Sequence, residues 1–252
     1  MKTLFFLMFF FLQAIATFAQ SDRDPTPKEK IAINKAVQVV VPLIQQFADN
    51  NWQMMSGGPD APEDYSVQKK PDVPIGVAPF NGWQFSVKQG SDLWNTLITP
   101  YLTKLQTPPA DMNNKKAMAD YEKLDGEYKN IKDVYVEIIV NEKKLPINPV
   151  KNGKDDLKLP GCYYAYKQSS DPNKLVGTDR GLENSYVLAF GNWTNAKVSY
   201  YSDVPYYNFH FLRPPGTPYI ENMVIIISGN NNRIKYLLQE IDWNKVNRGL
   251  TL

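Results

Sequence analysis

One cysteine and one histidine supply all the thiol and imidazole chemistry in this chain. Cys162 sits in Leu159-Pro160-Gly161-Cys162-Tyr163-Tyr164, and His210 in Tyr206-Tyr207-Asn208-Phe209-His210-Phe211-Leu212. A thiol attacks only as the thiolate, which needs a base or a cation beside it. A Cys162–His210 dyad is therefore the simplest nucleophilic centre available, and it would serve a hydrolase or transferase. No local signature of a thiol enzyme surrounds Cys162, and a free cysteine among apolar neighbours behaves as a small core side chain. Alternation sets Tyr207, Phe209 and Phe211 on one face of their strand, with Asn208 and His210 on the other.

Other chemistries have less to draw on. A structural zinc site takes about four thiolate or imidazole ligands at set spacings, so no metal is expected. Gly229-Asn230-Asn231-Asn232 lies between a strand and a helix, the context of phosphate-binding turns. It lacks the glycine pattern and the lysine of a P-loop, and a turn with a helix cap explains it more simply. No cofactor is expected. A carboxylate pair for glycoside hydrolysis comes from distant strands and cannot be picked by spacing from 26 acidic residues. With a net charge of +2 the chain has no basic excess for nucleic acid.

Aromatic residues carry the main binding hypothesis. Tyr163, Tyr164, Tyr166, Tyr200, Tyr201, Tyr206 and Tyr207 fall on expected strands, and Trp193 lies between two of them. Rings on an open sheet face stack on sugar rings or fill a partner's pockets, with the phenol fixing orientation. Tyr164, Tyr166, Trp193, Tyr201 and Tyr206 are the candidate ligand-binding residues. Tyrosine is also an ordinary strand former, and alternate rings on a strand turn into the core. Asn192-Trp193-Thr194 is a glycosylation sequon, relevant in a eukaryotic secretory pathway.

The elements that must position these residues follow from period and punctuation. Residues 1–19 read as a secretory signal peptide: Lys2, an apolar run from Leu4 to Leu12, then Thr17 and Ala19 at the small positions before a cut ahead of Gln20. The apolar run is too short to span a bilayer, which takes about 20 residues. No later stretch is long and apolar enough to do so. Thr26-Pro27-Lys28-Glu29 starts a helix with a capping box. Ile33, Val37, Val40, Ile44 and Phe47 form its apolar face, Pro42 marks a kink or break, and Ser56-Gly57-Gly58-Pro59 ends it. A proline-rich loop or strap follows over 59–82, then a short strand within Gly82–Gln89. A second helix begins at Ser91, with Trp94, Leu97, Ile98, Tyr101 and Leu105 on one side and Pro100 inside it. A third runs from Asp111 to Ile131 with Met118, Tyr121, Leu124, Tyr128 and Ile131 as a buried stripe.

At residue 133 the period changes to two. Val134, Val136, Ile138 and Val140 alternate with Tyr135, Glu137, Ile139 and Asn141, as a strand requires. Asn152-Gly153 signals a tight turn. Further strands are expected at Gly161–Lys167, Ser185–Phe190, Lys197–Tyr201 and Tyr206–Leu212. Met223–Ile227 is apolar on both faces, as in a central strand covered on each side. A last helix carries Ile234, Leu237, Leu238 and Ile241 and ends near Asp242-Trp243.

The expected fold class is α+β: a helical N-terminal half packed on a mainly antiparallel sheet in the C-terminal half, closing with a strand–turn–helix. The expected organisation is a signal peptide (1–19), a helical segment with a proline-rich loop (20–132) and a sheet-rich segment (133–252), the last two sharing one domain or forming two. The expected product is a soluble protein, secreted or periplasmic, acting as a non-enzymatic binding or interaction module toward a protein or carbohydrate partner. The alternative is an exported hydrolase using Cys162 and His210 or a carboxylate pair.

Overall fold

A computed structural model describes residues 23–57, 65–68, 72–78, 82–146, 157–167, 184–194, 196–201 and 204–250. The expected leader at 1–19 and the expected turn at Asn152-Gly153 lie outside the described residues. The first element is helix α1 (Pro27–Gln45), opened by the expected capping box. Glu29 accepts from the Thr26 amide at 2.7 Å, while the Glu29 amide donates to Thr26 Oγ1 at 3.4 Å. Arg23 grips the same carboxylate at 2.7 and 2.8 Å. That pair and the capping hydrogen bonds hold the Glu29 carboxyl down at about 2, against the usual 4.5.

The helix neither breaks at Pro42 nor reaches Ser56; it runs through the proline and stops at Gln45. Asp49 ends the turn that follows, its Oδ1 accepting from the amides of Asn51 (2.8 Å) and Trp52 (2.9 Å). Such side-chain acceptors compete with helical bonding, and the chain leaves as strand β1 (Trp52–Ser56). The proline-rich stretch contains a short hairpin, β2 (Ser66–Gln68) with β3 (Gly76–Ala78). Strand β4 (Trp83–Val87) follows as expected.

Pro100 reshapes the next helix. It has no N–H for the preceding turn, and the chain adopts a π-turn over Trp94–Ile98 before helix α2 (Thr99–Leu105). The Thr99 amide reaches back to the Trp94 carbonyl. Helix α3 (Lys115–Lys132) starts on an Asn114 cap. Its expected stripe is half-buried rather than buried, and Asn130 is the one buried residue on it. The helix leans on the π-turn and α2, with fewer contacts to the sheet.

Strands β5 (Asp133–Val140), β6 (Lys144–Pro146), β7 (Tyr164–Lys167), β8 (Ser185–Gly191), β9 (Lys197–Tyr201), β10 (Val204–Asn208) and β11 (Asn222–Gly229) follow. Helix α4 (Asn231–Glu240) and a 3-10 helix (Trp243–Gly249) complete the described chain. The 3-10 helix lies beyond the expected end at Trp243; buried Trp243 and Val246 turn it inward against α1.

One antiparallel sheet, in the order β1-β4-β5-β11-β8-β7, draws strands from both halves of the chain. Central β11 is buried along its whole length. On one face, Val136, Ile138, Leu188, Phe190, Ile225 and Ile227 pack with α1, α4 and the 3-10 helix. On the other, Val187, Ala189, Val224 and Ile226 pack beneath a smaller sheet, β6-β10-β9. The opposite end of that second face is polar. Asp133 accepts from Ser86 Oγ and, at 3.2 Å, from Tyr135 Oη, and the Ser185 and Ser228 hydroxyls meet at 2.8 Å.

Candidate functional site

The large sheet separates the two reactive side chains. Cys162, just before β7, packs half-buried against the helix-side cluster. Its thiol is free, and burial pushes its pKa up to about 12, so it stays protonated at neutral pH. His210 stands exposed on the small-sheet side. Its neighbours Phe209 and Phe211 pack with Tyr207 against the second cluster, so those three share a face as alternation requires.

The candidate ligand-binding aromatics divide by depth. Trp193 and Tyr166 are core residues at 0% and 2% exposure. The Trp193 indole donates to the Phe190 carbonyl at 3.0 Å and meets Phe209 edge-on at 4.7 Å. Tyr164 is half-buried, 5.1 Å from Tyr166 and 5.7 Å from Tyr207 between ring centres. Tyr206 is half-buried, with the Lys144 ammonium 5.3 Å from its ring. Tyr201 ends β9, and its side chain lies outside the described residues. Asn192 of the sequon is exposed, its Oδ1 accepting from the Thr194 amide at 3.1 Å.

An open aromatic surface lies beside these residues. Tyr207 faces the core from β10, and its register partner on β9 is Val198, with Tyr200 opposite Pro205 one step along the same face. This is the face of the small sheet that turns toward the large one. Yet Val198 is 51% exposed and Tyr200 70%. The reason is reach: Tyr207 already sits over edge strand β7 through its contact with Tyr164. Strand β9, the next one out, therefore overhangs the end of the large sheet. Tyr163, 41% exposed, meets the Tyr207 ring edge-on at 6.3 Å. Tyr163, Tyr207, Val198 and Tyr200 thus form a ledge of flat apolar faces ending in phenol hydroxyls. Tyr163, Tyr200 and Tyr207 were visible in the sequence as strand tyrosines. Val198 carried no signal, because the overhang depends on how far one sheet extends past another.

Architecture and ledge together describe an α+β protein with a helix layer, a large antiparallel sheet and a smaller sheet that projects past it. No protein-family model matches this chain, and neither the curated proteins nor the solved structures contain a match.

Proposed function

We propose that this chain is an exported, non-enzymatic binding module that holds a carbohydrate chain on the Tyr163–Tyr207–Val198–Tyr200 ledge. The observation that carries the reading is the exposure of Val198 and Tyr200 on the core-facing side of β9. Two supports are chemical. Flat phenol faces stack on the C–H faces of pyranose rings, and their hydroxyls orient the sugar. The exposed apolar part is also small. A stable protein–protein interface covers about 800 Å² on each partner, far more than three exposed side chains offer, whereas two or three sugar rings need no more. The leader at 1–19 supports release to the periplasm or the medium. The protonated, half-buried Cys162 thiol supports a role without thiol chemistry.

The test is titration of the intact protein with soluble oligomers of N-acetylglucosamine and of glucose, followed by protein NMR. Saturable binding that is lost in Tyr200→Ala and weakened in Tyr163→Ala is expected, with the oligomers recovered uncleaved. Absence of binding to either series, or affinity unchanged in Tyr200→Ala, overturns the ledge. Cleavage products that vanish in Cys162→Ser overturn the non-enzymatic reading.

A further inference from the structure

The last strand of an open sheet turns half of its N–H and C=O groups away from any neighbour, and folded proteins ordinarily close such edges with side chains, prolines or bulges. The two larger sheets of this chain end in β1, β7, β6 and β9. Three of these edges are closed. On β1, Asp49 takes both outward groups of Trp52: its Oδ1 accepts from the Trp52 amide at 2.9 Å, and its own amide donates to the Trp52 carbonyl at 2.8 Å. The register of β1 also slips between Met54 and Ser56. On β7, the Leu157 amide covers the Ala165 carbonyl at 2.7 Å. On β6, the Lys144 amide donates to Glu142 Oε1 at 3.1 Å, and Pro146 has no N–H to offer.

Strand β9 differs from the other three. The Phe209 amide donates to the Lys143 carbonyl at 2.8 Å, so Phe209 and Tyr207 turn their backbone groups toward β6. The alternate residues Tyr206 and Asn208 turn theirs toward β9, where they meet Ser199 and Lys197. Val198 and Tyr200 therefore direct their N–H and C=O groups outward, and no described residue pairs with that edge. The pairing with β10 is regular along the strand, and β9 holds neither a proline nor a bulge. The Val198 and Tyr200 side chains, open to solvent, lie on the face turned toward the large sheet. The body thus stops short of this edge and does not bar a second chain from it.

We propose that β9 pairs antiparallel with β9 of a second copy, about a two-fold axis at Ser199. The segment Lys197-Val198-Ser199-Tyr200-Tyr201 fits itself in that register. Val198 lies opposite Tyr200 of the partner subunit, and Tyr200 lies opposite the partner's Val198. These are the residues with outward backbone groups, so the two pairs exchange four hydrogen bonds in all. Each pair also sets a β-branched side chain beside an aromatic one on a single face. Lys197 is the only charged residue of the strand. The register holds its two copies about 14 Å apart along the strands, beyond the screening length of about 8 Å at physiological salt. The three-stranded sheet becomes six-stranded, and the two ledges adjoin across the axis. So short a seam covers far less than the roughly 800 Å² per partner of a stable interface, and the association is weak. It stands on the backbone of β9 and does not depend on what the ledge holds.

The experiment traps the pair by its register. Ser199 and its counterpart form a non-hydrogen-bonded pair with Cα atoms about 4.5 Å apart, within the span of roughly 4.4 to 6.8 Å that a disulfide takes. In a full chain carrying Cys162→Ala, Ser199→Cys is expected to give a disulfide-linked dimer on mild oxidation. Lys197→Cys, more exposed, is expected to stay monomeric in the same background. In the native chain, translational diffusion by NMR should slow with concentration up to about 1 mM. Ser199→Lys, which sets like charges face to face, should abolish that slowing, and mixing it with Ser199→Asp should restore it. Ser199 sits on the face of β9 opposite the ledge, so sugar binding by Ser199→Lys reports on the ledge separately. Absence of the Ser199→Cys dimer, equal cross-linking at 197 and 199, or diffusion that slows no more in the native chain than in Ser199→Lys each overturns the proposal.

Discussion

The two faces of the large sheet use alternate residues of the same strands and close in different ways. On the helix side, α1, α4 and the 3-10 helix cover the central apolar rows, where Ile225, Leu188 and Phe190 have no exposure at all, and only edge strand β1 leaves an apolar side chain, Met54, half-exposed on that face. On the other side a three-stranded sheet covers only the apolar end, the polar end bonds to itself, and the cover projects past β7. A helix layer fits its sheet because each helix supplies one continuous apolar stripe. A small sheet laid on a larger one matches it only where their apolar rows coincide, and whatever overhangs keeps its core-facing side chains in water. The ledge is the product of that mismatch.

Neighbouring residues of β11 put the contrast to the test with the largest expected effect. Ile225 faces the helices and Ile226 the small sheet. Ile225→Ala is expected to cost about 4 kcal/mol and Ile226→Ala about 2 kcal/mol, since a partial cover relaxes around a cavity more readily than a closed layer. Equal losses by chemical denaturation would mean that both faces are equally rigid.

Next in size is Gly229→Ala at the join between β11 and α4. Gly229 has φ +121°, and a Cβ there would meet the Asp133 carbonyl oxygen well inside contact distance. The substitution is expected to destabilise by about 2 kcal/mol or more, read as a lower thermal midpoint.

Acid stability reports on the start of α1. The folded carboxyl of Glu29 titrates at about 2 rather than 4.5. Its contribution is therefore complete above the ordinary value and lost as pH falls from 4.5 toward 2. Glu29→Gln is expected to lower stability at neutral pH and to flatten this part of the acid limb, a change visible in denaturation curves at several pH values. An acid limb of unchanged slope would remove the Arg23–Glu29 pair from the account.

Smaller still are two effects at the reactive and exposed residues. Cys162 should react slowly with a thiol reagent in the native protein and readily once unfolded, as its raised pKa and partial burial require. Tyr200→Ala should change stability by no more than about 0.5 kcal/mol, in contrast to its loss of ligand. A large destabilisation would mean that the ledge is packed in solution.

Much of the fold was legible in local signals. Capping box and proline placed the start of α1, the change of period at residue 133 placed β5, and an apolar run on both faces marked β11 as central. The misses have physical causes. β1 hides behind an Asp49 turn whose effect on the backbone depends on side-chain acceptors rather than on period. The β2–β3 hairpin is three residues to a strand, too short for alternation to show. The site was less legible. Composition pointed to tyrosines but could not separate buried Tyr166 and Trp193 from open Tyr163 and Tyr200, because alternation fixes a face and not what covers it. The open edge of β9 is no easier to read, because the strand that ends a sheet and the groups that close its edge are set by the assembled topology.

The central claim is that an overhanging edge of the small sheet holds the ligand. Mapping amide and aromatic shifts on titration with the better of the two oligosaccharide series tests it most directly. The account predicts saturable changes centred on Tyr163, Val198, Tyr200 and Tyr207, with the helix face silent. Changes of equal affinity that avoid β9, or that remain in Tyr200→Ala, would contradict it.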